Sequence, residues 1–209
     1  TAGSSRVEIT ARGELVRELG TNADKPGDTL RLTIDRDLQD YAARRLGDNS
    51  ASVIVMDVIT GDVLCMVSMP AYDPNIFSRR VPAKLWNALQ KDDHTPLLNK
   101  SAMGLYPPGS TFKMVTALAA LEAGVTTPEA THYCPGYIEF GNRRFHCWKR
   151  GGHGTVDLAK SLSESCDVYY YEIAQKVGID KIAEMGKRFG LGVRHDLPMS
   201  AITEGIMPD

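Results

Sequence analysis

A hard stop followed at once by a long apolar run sets the frame of this chain. Tyr106-Pro107-Pro108-Gly109-Ser110-Thr111-Phe112-Lys113 leads directly into the segment Met114 to Gly124. Proline lacks an amide donor and fixes its own φ, so two prolines and a glycine end whatever structure precedes them. Helix formers then take over, which places a helix start at Ser110. Met114, Val115, Leu118, Ala119 and Leu121 leave almost no polar face, so the segment reads as a buried helix.

A hydroxyl at the mouth of such a helix, with a lysine one turn on, can do chemistry. Residues three apart share a helix face, which puts the Lys113 amine within reach of Ser110. A serine hydroxyl is a poor nucleophile until a neighbouring base takes its proton. Burial against apolar groups disfavours the charged form of a lysine, which lets it act as that base. Unpaired N–H groups and the positive dipole end of the helix suit a developing oxyanion. The letters alone say little: 12 serines and 10 lysines in 209 residues give about 0.6 Ser-x-x-Lys matches by chance. A serine N-cap followed by a surface lysine has the same spelling. The proline stop and the apolar helix behind it favour the nucleophile–base reading.

Composition narrows the class. The length suits one large domain or two small ones, and 43% hydrophobic with 24% charged residues is ordinary for a globular protein. A net charge of −2 gives no footing for nucleic-acid binding. No run approaches the ~18 apolar residues of a membrane span, and no signal-peptide pattern opens the chain. An anchor, if the parent protein has one, is expected outside this stretch.

Along the chain, Arg6 to Leu19 reads as a short β-hairpin and Asn22 to Asp28 as a polar linker. Thr29 to Ile34 alternates as a strand, and Asp35 is placed to cap a helix through Leu38, Tyr41, Ala42 and Leu46. Ala51 to Ser68 is a hairpin around Thr60-Gly61-Asp62, and its near-continuous apolar character predicts a sheet covered on both faces. Pro70 to Leu105 is a long irregular connection with a short helix near Lys84 to Leu89, of the kind that lines clefts. Thr126 to Thr155 is irregular, Asp157 to Val177 is helical with a break near Ser165, and Lys181 to Phe189 is a last helix ended by Gly190.

Cys65 sits in the apolar hairpin as a core residue. Cys134, Cys147, His153 and Cys166 are separated by 12, 5 and 12 residues. Three thiolates and an imidazole make a complete tetrahedral zinc set of the structural kind. A disulfide between two of these cysteines, or three unpaired core thiols, fits the same letters. His146 and His132 are substitute ligands, while His94 and His195 have the surroundings of ordinary surface or loop residues.

The stretch Pro107 to Lys113 resembles the active-site motif of class B penicillin-binding proteins, the cell-wall D,D-transpeptidases, for which Ser-x-x-Lys is the known signature. Met69-Pro70-Ala71-Tyr72-Asp73-Pro74-Asn75 and Pro96-Leu97-Leu98-Asn99 are similar to the elongation-type members of that family. Ser165-Cys166-Asp167 resembles the family's second motif, Ser-x-Asn or Ser-x-Asp in a turn between helices. The third motif, Lys-Thr-Gly or Lys-Ser-Gly, occurs nowhere in the 209 residues.

The resemblance implies an α+β penicillin-binding-protein/serine β-lactamase-like transpeptidase fold, an antiparallel sheet flanked by helices, with its C-terminal strands missing. Residues 1–27 would link to a pedestal domain, and residues 28–209 would form the N-terminal part of the transpeptidase domain. The chain would then be an interior portion of a longer enzyme, inactive without the strand that docks substrate. Ser110 would be the nucleophile and Lys113 its base, with Ser165 relaying a proton and Asp167 orienting the group. Substrates would be peptidoglycan stem peptides, with β-lactams acylating the same serine. Relatives that carry metal-binding residues between the first two motifs favour a structural zinc ion on Cys134, Cys147, His153 and Cys166. A membrane glycan polymerase and scaffold proteins of the elongation machinery are the implied partners, at the periplasmic face of the inner membrane. A serine β-lactamase, a D,D-carboxypeptidase and a non-catalytic penicillin-binding sensor share the motif and remain alternatives.

Overall fold

A computed structural model describes residues 2–78, 80–199 and 201–208. Strands β1 (Ser4–Ile9) and β2 (Leu15–Asn22) pair antiparallel as the expected hairpin, exposed along its whole length. Thr29 to Ile34 forms no strand. Alternation chooses a face, whereas a ladder needs a partner edge, and Leu30 and Leu32 are exposed. At its end Thr33 Oγ1 donates to Val63 O at 2.6 Å, and just beyond it Asp35 N–H donates to Leu64 O at 2.8 Å.

Asp35 caps α1 (Arg36–Leu46) as the sequence predicts, its Oδ1 accepting from Leu38 N–H at 2.9 Å. The helix lies on the hairpin of β3 (Ala51–Met56) and β4 (Val63–Met69). Ala42 packs with Cys65 and Val67, and Leu38, Leu46, Val53 and Val55 close the cluster. The Gln39 amide serves as a substitute strand, donating to Met66 O at 2.9 Å and accepting from Met66 N–H at 2.8 Å. The expectation of two covered faces is corrected: β3 alternates in burial, and Ile54 and Met56 are about half exposed. An apolar sequence marks what a strand could bury; α1 covers one face and the short helix Lys100–Met103 also contacts both strands, but Ile54 and Met56 stay open.

The long connection holds α2 (Ala83–Lys91), as expected, and a further short helix, α3 (Lys100–Met103), that the sequence did not announce. Ser68 Oγ donates to Leu98 O at 3.1 Å and accepts from Lys100 N–H at 3.0 Å, while Ser101 Oγ donates to Val67 O at 2.9 Å. These bonds fasten α3 to β4 just ahead of the proline stop.

Gly109 adopts φ +55, and a 3-10 turn from Gly109 to Phe112 feeds α4 (Lys113–Glu122). The α-helix thus begins at Lys113 rather than at Ser110. It is also less enclosed than its composition suggests: Val115, Thr116, Ala117, Ala119 and Ala120 are buried, while Met114 and Leu118 are exposed.

The cysteine-bearing region is not irregular throughout. Strand β5 (His132–Cys134) pairs with β8 (Gly154–Val156), and between them β6 (Tyr137–Phe140) pairs with β7 (Arg143–His146). Strands of three or four residues are too short to show a period of two. Helices α5 (Leu158–Ser163) and α6 (Asp167–Val177) flank the expected break, and α7 (Ile179–Arg188) follows. Here lies the larger core, in which Tyr169 and Ile173 are fully buried against the small-residue face of α4. Among the described residues no helix is long and apolar enough to cross a membrane.

Candidate active site

Ser110 sits on the 3-10 turn, exposed, and Lys113 is the first residue of α4. The two do not bond directly among the described residues. Lys113 Nζ donates instead to Ser165 O at 2.8 Å and to Asp167 Oδ1 at 2.6 Å, and lies 2.9 Å from Ser165 Oγ. Ser165 Oγ in turn lies 3.0 Å from Ser110 Oγ. The expected apolar surroundings of the amine are corrected as well: three oxygens surround it, with the Tyr170 ring 5.6 Å away. Ser165 closes the gap that the turn geometry leaves between Ser110 and Lys113.

The partners of Lys113 limit where protons can be. A carbonyl and a carboxylate only accept, so two Nζ hydrogens are committed to Ser165 O and Asp167. The third Nζ position faces a hydroxyl, which can accept or donate. An ammonium gives the order Lys113 to Ser165 to Ser110, and an amine gives the reverse. The geometry supports both ends of a proton transfer from Ser110 to Lys113 without moving a heavy atom.

Ser165 is held in the left-handed region at φ +51, which costs a non-glycine residue roughly 1–2 kcal/mol. That conformation is what turns its carbonyl and its hydroxyl toward the same amine. Cys166 N–H donates to Ser161 O at 2.9 Å and Ser165 N–H to Leu162 O at 3.2 Å, closing α5 behind the turn. On the other side, Trp148 N–H donates to Asp167 Oδ2 at 2.9 Å, and the indole N–H donates to Glu164 O at 3.0 Å. Trp148 and Tyr170 carry no motif, and sequence reasoning missed both.

Cys134, Cys147, His153 and Cys166 converge as their spacing allowed. Their ligand atoms all lie within 4.8 Å of one another, and all four residues are buried. Cys134 closes β5, Cys147 follows β7, His153 precedes β8 and Cys166 caps α6. The four cysteines of the chain are free thiols. His153 Nδ1 lies 3.4 Å from Cys147 Sγ and 3.6 Å from Cys134 Sγ. Its Nε2 is buried without a hydrogen-bond partner, with Glu164 Oε2 at 3.8 Å. Burial pushes the Cys166 thiol up to about 12, with Cys134 and Cys147 adding to the rise against a Tyr169 N–H that lowers it. A bound cation would reverse that rise at Cys166, since it holds a thiol as the thiolate.

Two glycines make the convergence possible. A Cβ on Gly152, at φ +76, would stand 2.1 Å from Cys134 O, and one on Gly136, at φ +99, would stand 2.3 Å from Arg150 O. The other histidines lie outside the cluster: His132 pairs with Glu172 and packs on Tyr169, and His146 is exposed at the end of β7. His94 pairs with Asp92, and His195 bonds to Gly190 O.

A serine on a helix-opening turn, joined through a second serine to a lysine, describes the serine–lysine acyl-transfer class. The penicillin binding protein transpeptidase domain model matches residues 51–209, and the chain belongs to that family. It is 38% identical over 208 residues to the peptidoglycan D,D-transpeptidase MrdA of Escherichia coli K12, covering 99% of this chain and 33% of that protein. Among solved structures it is similar to Pseudomonas aeruginosa PBP2 in complex with WCK 5153, with a TM-score of 0.81 and 40% identity over 85% of this chain and 41% of that one. The Helicobacter pylori complex of PBP2 and MreC gives a TM-score of 0.84 and 32% identity over 99% of this chain and 39% of that one. The chain spans about a third of the length of the curated relatives it matches.

Proposed function

We propose that this chain is the nucleophile-bearing part of a peptidoglycan D,D-transpeptidase. The observation that carries the reading is the unbroken path Ser110 Oγ, Ser165 Oγ, Lys113 Nζ, Asp167 Oδ1, at 3.0, 2.9 and 2.6 Å. Ser110 attacks the carbonyl of the penultimate D-Ala of a stem peptide, and its proton passes through Ser165 to Lys113. The tetrahedral intermediate collapses as the terminal D-Ala amine takes a proton and leaves, giving an ester on Ser110. An amine of a neighbouring stem then attacks that ester, its proton returns through Ser165 to the serine, and a crosslink is released. Asp167 fixes the amine throughout, and the Ser110 N–H at the turn is one oxyanion donor. β-Lactams acylate the same oxygen.

In this reading residues 1–27 join the domain to its pedestal and residues 28–209 begin the transpeptidase domain. The protein acts at the periplasmic face of the inner membrane, beside a glycan polymerase and scaffold proteins of the elongation machinery. The complex of the similar H. pylori protein with MreC supports the scaffold. Cys134, Cys147, His153 and Cys166 would hold a structural zinc ion, supported by four buried residues whose ligand atoms lie within 4.8 Å of one another, with His153 Nδ1 facing the thiols of Cys134 and Cys147. Four protein ligands leave no open position, so the ion would supply rigidity and no step of the reaction.

The test is labelling of the intact protein with a fluorescent penicillin. A stable adduct on the Ser110 peptide, absent from Ser110→Ala, is expected. Rapid release of hydrolysed penicillin from that serine would instead assign a β-lactamase.

A further inference from the structure

The turn that carries Ser165 is bounded on both sides by one residue that belongs to no motif. Trp148 follows Cys147 directly, on the loop that ends β7. Its main-chain N–H reaches Asp167 Oδ2 at 2.9 Å, two residues beyond Ser165. Its indole N–H reaches Glu164 O at 3.0 Å, one residue before Ser165. Its ring meets His153 edge-on, with centroids 5.4 Å apart. Ser165 lies between these two anchors in a conformation that non-glycine residues avoid, at φ +51. The side chain itself is 64% exposed, more than a core-packing role would require. What a solvent-exposed indole does with a directed bond to a carbonyl is fix that carbonyl in space.

We propose that Trp148 is a positioning residue for the acylation of Ser110. It sets where the Ser165 hydroxyl stands between Ser110 and Lys113, by holding Glu164 O with its side chain while its amide holds Asp167. Its two hydrogen bonds go to Asp167 and Glu164 and not to Ser110, Ser165 or Lys113. The inference rests on the transpeptidase reading, because positioning matters only if Ser110 is acylated. An error of a few tenths of an ångström in the Ser165 hydroxyl lengthens both bonds of the relay, which slows the chemical step and leaves the initial encounter with a β-lactam alone.

The experiment is stopped-flow acylation of the intact protein by a fluorescent penicillin. It separates the first-order acylation rate constant from the dissociation constant of the initial complex. Trp148→Phe keeps an aromatic ring and the main-chain N–H and deletes the indole donor together with the five-membered ring that carries it. It is expected to lower the acylation rate constant about 3–10-fold, the worth of one hydrogen bond. The dissociation constant should stay within about twofold and the melting temperature within a few degrees. Trp148→Ala, which also loses the ring on His153, should be slower still. Acylation by Trp148→Phe at the unsubstituted rate overturns the inference. So does a loss that appears wholly in the dissociation constant, or one that only follows a large drop in melting temperature. If the unsubstituted protein is not labelled on Ser110 at all, the transpeptidase reading fails first. Normal labelling of both proteins sinks the role of Trp148 alone.

Discussion

Lys113 Nζ lies 2.9 Å from Ser165 Oγ, and that oxygen lies 3.0 Å from Ser110 Oγ, so the hydroxyl of Ser165 bridges the two residues proposed as base and nucleophile. Removing it should cost what a positioned proton-transfer group is worth, a 10²–10⁴-fold fall in acylation, or about 3–5 kcal/mol. Ser165→Ala and Ser165→Gly are expected to fall alike. They should differ in stability, because glycine accepts φ +51 freely and alanine does not. The glycine variant should therefore melt higher than the alanine variant while labelling equally slowly. If Ser165→Gly acylates at near the native rate, the hydroxyl is no relay.

Asp167 accepts on both of its oxygens, from Lys113 Nζ at 2.6 Å and from Trp148 N–H at 2.9 Å. Asparagine has one acceptor oxygen and a donating NH2 group, so in either orientation it sets a donor against a donor. Asp167→Asn is expected to slow acylation roughly 10–100-fold, the cost of leaving one partly buried polar group unpaired. It should also lower the denaturation midpoint in urea. Native kinetics in this near-isosteric variant would show that Asp167 does not fix the amine.

How far the sequence could be read depended on distance along the chain. Ser110 and Lys113 were legible because the proline stop and the helix start are local signals. Ser165 and Asp167 are brought to Lys113 from more than fifty positions away. No periodicity carries that information, and only the family resemblance pointed to them. The direct Ser110–Lys113 contact was expected from helical spacing and is missing because the first turn is 3-10 and the α-helix starts at Lys113. Thr29 to Ile34 had the alternation of a strand without the neighbour that would make it one. The cluster of Cys134, Cys147, His153 and Cys166 was legible in residue types but not in its means of assembly, which rests on the close approach of Gly136 to Arg150 and of Gly152 to Cys134. Trp148 meets the turn through its main-chain N–H and its indole N–H, and neither bond has a signature in a sequence.

Gly152 offers a test of that assembly away from the reacting groups. A Cβ there would fall 2.1 Å from Cys134 O, and φ is +76, so alanine meets both a clash with backbone and a disfavoured conformation. Gly152→Ala is expected to destabilise the protein by about 3 kcal/mol, at the upper end of ordinary substitutions. Gly151→Ala, where a Cβ meets nothing within 4 Å, should be nearly silent. Equal unfolding midpoints for the two variants would contradict the close crossing of the 134–136 and 150–152 segments.

Cys166 caps α6 directly behind Ser165, while Cys134, Cys147 and His153 come from the strands and loops on the other side of the turn. An ion held by all four therefore ties the second-motif turn to the segment that carries Trp148. Elemental analysis of the intact protein should find one zinc per chain. A ligand that binds only the folded state, at a thousandfold excess over its dissociation constant, adds about 4 kcal/mol of stability. Chelation, or Cys147→Ser, should remove most of that and lower the melting temperature by several degrees. Acylation of Ser110 should slow with it, because the turn loses one of its tethers while Lys113, Ser165 and Asp167 are all still present. A protein that is metal-free as purified and whose melting is unmoved by chelator would rule out the ion and leave the four groups as a buried thiol–imidazole cluster.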